Sequence, residues 1–441
     1  MTRRIFVVPA AGVAMAGAFV AVAMASAPTP DSPAPTTFEI APPAPVVACP
    51  GPQQVPVGDV GAGGDLASEP TLRELTVLGP EATRAVGDGL GADADIAVQT
   101  ERTSDGDIQG WSAISCAQPV FEQWLVGGST VLGNSARLVL SNPGAAPTEV
   151  TVTLYGPLGV IEDELVVPVA PGGQVERLIE GVATELSALV LHVEASGPGV
   201  VAALQDSRLE GFQPAGTDWV GASVAGTDLA IPMVNADVEG ATVTVRLMAP
   251  EGGLVELSLV SSTGIESWSA GHALEMDPGV VTDVVVPTSQ LGAIEVRSDA
   301  PVVAAALTTI PRAADEGLQD DIAFDHTWVS AMDVRTTTTL SAVVPAHDAV
   351  LAVYSPYATL VEVRDKDDTV WASANLAART VQWVPITAPA GTEVQVTGVF
   401  AWVLVLQSPP GYIASAAPVD ISRTSLSATV VPGTYPVEAS N

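Results

Sequence analysis

Three stretches of this chain repeat the same landmarks in the same order, and their spacing allows only a repeat of whole domains. The first opens Arg137-Leu138-Val139-Leu140-Ser141-Asn142-Pro143 and runs into residues 148–155. The second opens Arg246-Leu247-Met248-Ala249-Pro250 before residues 254–259, and the third opens Leu351-Ala352-Val353-Tyr354-Ser355-Pro356 before 360–363. The leading prolines stand 107 and then 106 residues apart. A later apolar element recurs at 200–204, 302–307 and 402–406. Solenoid units run ~20–50 residues, so a period of roughly 105 is a domain and not a stacking unit.

Val150-Thr151-Val152-Thr153-Leu154-Tyr155 alternates with period two, as do 242–247 and 393–396, which is the pattern of half-buried strands. Turn signals bound these runs, among them Asn142-Pro143-Gly144, Pro171-Gly172-Gly173 and Pro278-Gly279. Only short stretches such as 66–75 read as possible helix. Seven or so short strands in about a hundred residues match an immunoglobulin-like sandwich. The expected fold is therefore all-β: tandem immunoglobulin-like β-sandwich modules at 132–234, 235–345 and 346–441 behind a degenerate copy at 46–131. That fourth copy rests on Ile96-Ala97-Val98-Gln99 followed by Trp111, which echoes Ala203-Leu204-Gln205 followed by Trp219. The rival architecture is one closed array such as a propeller, whose blades of ~40–45 residues fit the spacing less well.

Arg3 and Arg4 precede an uncharged, Ala- and Val-rich run to Ala27. Basic residues stay on the cytoplasmic side, so the remainder is expected to be exported. Residues 1–27 read either as a membrane anchor, whose run from Ile5 to Ala25 is about 31 Å long as a helix, or as a signal peptide cleaved after Ala25. Residues 28–45 carry seven prolines. Proline fixes φ and removes a donor, so this stretch is expected to build neither helix nor sheet and to act as a spacer. Cys49 and Cys116 are the only cysteines, and outside the cytoplasm a lone pair is expected to join as a disulfide.

The formal net charge is −34, with 50 acids against 16 bases spread along the chain. Such a surface repels nucleic acid and anionic headgroups. Aromatics are only 5% of residues, so the core is expected to be mainly Val, Leu and Ala.

Ser115-Cys116-Ala117, Trp124-Leu125-Val126-Gly127-Gly128-Ser129-Thr130 and Leu138-Val139-Leu140-Ser141-Asn142-Pro143, with Cys49-Pro50-Gly51-Pro52 upstream, resemble a family of secreted or membrane-anchored actinobacterial proteins of unknown function. The resemblance implies an envelope location. It supplies no catalytic residues.

Motifs that carry chemistry are sparse. His192, His272, His326 and His347 show no metal-ligand spacing, and His192 reads as a structural residue of an alternating strand. Gly127-Gly128-Ser129-Thr130 is no nucleophile elbow and reads as a turn into the first module. Two acidic clusters suggest oxygen-rich loops: Asp315, Glu316, Asp320, Asp321, Asp325 and His326, and Asp365-Lys366-Asp367-Asp368. Neither fits the EF-hand pattern, and solvated turns are the commoner meaning. Trp219 and Trp328 fall at matching places, as do Trp268 and Trp371, which points to a shared core more than to sugar-stacking surfaces. The sequence thus leads to a non-catalytic envelope protein without catalytic, cofactor or metal residues. Its expected partners are the membrane through the N-terminal segment and an envelope protein or cell-wall glycan, with no nucleic acid. Carbohydrate-binding modules are the alternative, and a glycan hydrolase the third reading.

Overall fold

The computed structural model describes residues 36–40, 46–57, 65–68, 73–78, 83–86, 89–92, 96–103, 108–161, 164–211, 213–234, 238–266, 268–287, 292–313, 322–408, 411–421 and 426–430. The fold is all-β. Among the described residues there are two single 3₁₀ turns, Ile179–Gly181 and Ser269–Gly271, and no helix long and apolar enough to cross a membrane. The apolar run at 5–27 lies outside the described residues.

The chain divides into two units, one formed by its two ends and one by residues 44–422. In the first, Thr36–Ile40 pairs antiparallel with Leu426–Val430. The spacer at 28–45 therefore does contribute to a sheet. Its prolines fall at 28–35 and 42–45, and the gap between them, Thr36-Thr37-Phe38-Glu39-Ile40, keeps every N–H and has strand-forming residues. Residues 66–75 are not helical either: Asp65–Ser68 and Arg73–Leu78 are strands.

The larger unit repeats one sheet plan. In the first repeat the eight main strands are Glu122–Val126, Asn134–Asn142, Thr148–Gly156, Leu165–Val169, Gly173–Leu178, Val190–Ala195, Val201–Glu210 and Gln213–Val220. Strands one, six, three and four form one antiparallel sheet, and strands five, two, seven and eight the other. The third repeat has the same order from Thr338–Val343 to Tyr412–Ala416. The second has it too, with strands six and seven fused into the single 22-residue strand Gly292–Ala313, which passes from one sheet to the other. After each last strand the chain bridges back to the repeat's first strand, at Ser223–Trp124, Met332–Ala230 and Val419–Ser341. Ala117–Ala48 repeats this bridge in the N-terminal segment.

The two sheets of a repeat differ in burial for a physical reason. Thr148–Gly156 alternates: Val150, Val152 and Leu154 point inward, and the residues between them are partly or fully exposed. Such a strand has one face on a core and one toward water. Gln213–Val220 is buried at every position, as is most of Val201–Glu210. Its second face lies against the neighbouring repeat. The Ala-rich seventh strands (Ala202-Ala203, Ala304-Ala305-Ala306) let those sheets approach closely.

The repeats do not stand as separate beads. Four inner strands, Gly110–Cys116 (β1), Gln213–Val220 (β2), Ile322–Ser330 (β3) and Tyr412–Ala416 (β4), pack in cyclic order, with β4 returning to β1. Hydrophobic cores bridge the joints. Val303, Ala305 and Trp328 join the first repeat's core, Ala352, Val403 and Ile413 the second's, and Ile96, Val98 and Trp111 the third's. The repeated sandwich-like unit and the closed array, rivals in the sequence, are combined. Two glycines permit the closeness. A Cβ on Gly110 would stand 2.7 Å from Thr217 N, and one on Gly216 (φ +96°) would stand 2.6 Å from the His326 ring.

Candidate functional site

The inner strands carry ionisable residues at strand positions, and the ring buries them together. Asp206, Asp218, Asp325 and His326 are all fully buried. Asp218 on β2 accepts Trp328 N (2.8 Å) and Thr327 Oγ1 (2.9 Å) from β3. Asp325 on β3 accepts Ile413 N of β4 (2.9 Å). His326 Nδ1 donates to Ala215 O of β2 (2.9 Å). Asp206 Oδ2 accepts the Trp328 indole (2.7 Å) and Arg208 Nε (2.9 Å), with His326 Nε2 at 3.5 Å. Each contact but the Arg208 one joins two different strands, with Asp206 reaching β3 from the neighbouring strand Val201–Glu210.

Burial sets the protonation states. It pushes the Asp218 carboxyl well up, and the donors from Trp328, Thr327 and Trp219 offset this only in part, while Asp325 adds to it. Burial likewise drives Asp325 well above the carboxylate range against the pull of Ile413 N and Arg312. Burial also acts on Asp206, but Arg208, His326 and the Trp328 indole overcome it and hold that carboxyl low. The His326 imidazole is pushed down to about 4 by burial. Burial thus disfavours the charged forms of Asp218, Asp325 and His326, while Asp206 keeps its charge against the same penalty. Asp206 and His326 are both shut off from solvent, and each is bonded to a different repeat, Asp206 to the Trp328 indole and His326 to Ala215 O.

Beside the axis lies a groove filled by the chain itself. Cys49 and Cys116 are joined as a disulfide, buried on both sides, and the strap that follows, Pro50-Gly51-Pro52-Gln53-Gln54, has its backbone read by side chains. Gln99 receives Gly51 N (3.1 Å) and donates to Gly51 O (2.6 Å). Gln205 does the same for Gln54, at 3.0 and 2.8 Å. Glu101 Oε2 accepts Gln53 N (2.8 Å), Arg137 donates to Pro52 O (3.0 Å) and Gln174 to Pro50 O (3.1 Å). The strap bends at Pro52, with Gly51 at φ +82°, and lies outside any sheet, so these side chains replace the ladder a sheet would supply. Gln99 and Gln205 are the glutamines of the echo between 96–99 and 203–205, and the strap carries the Pro50-Gly51-Pro52 of the upstream motif.

The other sequence-derived residues are scattered. His192 stacks on Trp124 (3.9 Å between ring centres) and meets Glu122 (3.0 Å). His347 sits edge-on to Trp111 at 4.9 Å, and His272 lies 3.6 Å from Glu256. The turn Gly127-Gly128-Ser129-Thr130 is a docking point, since Gly128 O accepts Arg246 NH1 (2.5 Å) while the same guanidinium grips Asp283 (2.8 and 2.9 Å). Asp315, Glu316, Asp320 and Asp321 lie outside the described residues. Asp325 and His326, read as loop residues, are instead in β3 at the axis. Asp365 turns its oxygens to Asp367 N, Thr369 N and the Trp371 indole (each 2.9 Å). Among the described residues, no three His, Cys, Asp or Glu side chains are placed to hold a metal ion together. Trp111, Trp124, Trp219, Trp268, Trp328 and Trp402 are buried, and Trp371 and Trp383 partly so. Trp219 and Trp328 do hold matching positions on β2 and β3. Trp268 does not match Trp371, because it precedes a 3₁₀ turn whereas Trp371 lies in Val370–Leu376.

No curated protein matches the chain. A solved structure, a biofilm associated protein BSP domain, aligns over 77% of this chain and 75% of its own at 8% identity, with a TM-score of 0.16. The sequence pattern of a family of unknown function, DUF5719, matches residues 74–397, and the chain belongs to that family.

Proposed function

We propose that this protein is a non-catalytic structural or interaction component of a cell envelope, held outside the membrane by its N-terminal segment. The observation that carries the reading is the use made of its buried ionisable side chains. Arg246, Asp206, Asp218, Asp325 and Glu295 all bind one repeat to the next, with Glu295 accepting Tyr354 and Arg379 of the third repeat. A chain that places these five buried polar side chains at its joints is built for a fixed shape. Each repeat is read as immunoglobulin-like in pairing its second strand with its fifth and its third with its sixth, although its seventh strand has moved to the opposite sheet. The partner is an envelope protein or cell-wall glycan. A glycan would be met through Trp371 or Trp383, the two tryptophans that are not fully buried.

Cells expressing the full chain test this. The reading expects recovery with the envelope, digestion by an external protease and oxidised Cys49 and Cys116. Cytoplasmic recovery with both thiols free overturns it. Loss of wall retention in Trp371→Ala identifies a glycan partner, and unchanged retention points to protein.

A further inference from the structure

We propose that the groove that reads Pro50-Gly51-Pro52-Gln53-Gln54 also accepts that same segment from a second copy of this chain, and that Cys49 of one copy then bonds to Cys116 of the other. The ligand chemistry is given by the chain: a bent Pro-Gly-Pro-Gln-Gln peptide, Gly51 at φ +82°, whose amides are gripped by paired glutamine side chains. Gln99 and Gln205 each take both the N–H and the C=O of one residue, a bidentate reading that fixes backbone direction and register. Gln53 Nε2 donates to Ser112 Oγ (2.9 Å), so the strap's own side chain is read as well.

Nothing local ties the strap to this groove. The groove residues lie 48 positions down the chain for Gln99 and Glu101, 85 for Arg137, 124 for Gln174 and 151 for Gln205. The strap occupies its own groove because the tether keeps its local concentration high, and the disulfide makes that occupancy permanent. Before the disulfide closes, a strap from another copy offers the same atoms to the same partners. That is the condition for exchange of an identical element between protomers. The exchange does not depend on which other envelope component the protein meets.

The bond-forming step is thiol–disulfide exchange. The Cys49 thiolate attacks an oxidant disulfide and expels one thiol. The Cys116 thiolate of the other copy then attacks the mixed disulfide and expels the second thiol. Two protein thiols become one disulfide, and the oxidant is reduced to two thiols.

Full-length ¹⁴N and ¹⁵N proteins are reduced, mixed and reoxidised with oxidised glutathione, and the Cys49–Cys116 peptide pair is weighed. The proposal expects mixed-isotope pairs alongside uniform ones, and a reductant-sensitive dimer on a non-reducing gel. Uniform pairs alone overturn it. Cys49→Ser protein mixed with Cys116→Ser protein should give a Cys49–Cys116 heterodimer, and Gln99→Ala with Gln205→Ala in both should cut its yield about tenfold. Equal yield with and without those glutamines would mean random oxidation and also overturns the proposal.

Discussion

Asp218 and Trp328 meet across the joint between the first and second repeats: the buried carboxyl accepts the Trp328 backbone N–H at 2.8 Å. The indole of the same tryptophan donates to Asp206 at 2.7 Å, and Arg246 lies 5.1 Å from its ring centre. Trp328 is thus held by two acids of the preceding repeat, one on its backbone and one on its indole, and by a guanidinium of its own repeat.

Stability should depend on pH through Asp218. Its folded pKa is raised by burial, so the folded state keeps a proton that the unfolded chain releases above about pH 4. Stability from this group is full in acid and is lost as pH rises toward the folded pKa. His326, held down at about 4, has the opposite slope and loses stability as pH falls from about 6.5. Asn keeps a donor where the Asp218 proton sits, so Asp218→Asn should match wild type near pH 4 and melt a few degrees higher near pH 8. Thermal melts at the two pH values check this. An equal offset at both would mean that Asp218 is not protonated in the fold.

Gly216→Ala and Gly159→Ala separate closeness from conformation. Both glycines have positive φ, but only Gly216 has His326 within contact of a new Cβ. Denaturant unfolding should show a loss of ~1 kcal/mol for Gly159→Ala from backbone strain. Gly216→Ala should lose roughly 3 kcal/mol or more, because β3 must move.

Arg246→Met removes a guanidinium that donates to Asp283, Gly128 O and Ser187 O. The Gly128 carbonyl would lose its partner at the joint, so about 3 kcal/mol of stability should go. The loss should far exceed that of Arg335→Met, whose pair with Asp333 is half exposed.

The Cys49–Cys116 bond closes a loop of 67 residues. Loop-closure entropy gives it about 4 kcal/mol as an upper guide. Equilibrium unfolding of the full chain with and without reductant should differ by ~2–4 kcal/mol.

Much of the repeat was legible because apolar strands and turn prolines sit at fixed offsets. Pro143, Pro250 and Pro356 each follow the second strand of a repeat. Closure into a ring was not legible. It depends on Asp206, Asp218 and Asp325, which lie in strands where an acid ordinarily marks a water-facing side. Here the second face meets another repeat, so the polar residue is buried as deeply as the apolar one. His326 was misplaced into a loop for the same reason. The strap groove left a trace in Gln99 and Gln205, but a glutamine in a strand does not announce which backbone it will read. Thr36–Ile40 was hidden by composition, since seven flanking prolines outweighed five good strand residues.

Ring closure is the central claim, and Arg102 with Tyr412 tests it. The Arg102 guanidinium lies 4.7 Å from the Tyr412 ring centre, joining the N-terminal segment to the last strand of the third repeat. A double-mutant cycle of Arg102→Met and Tyr412→Leu, read by denaturant unfolding, should give a coupling of about 0.5–2 kcal/mol. Strict additivity of the two substitutions would place these residues apart and contradict the closed ring.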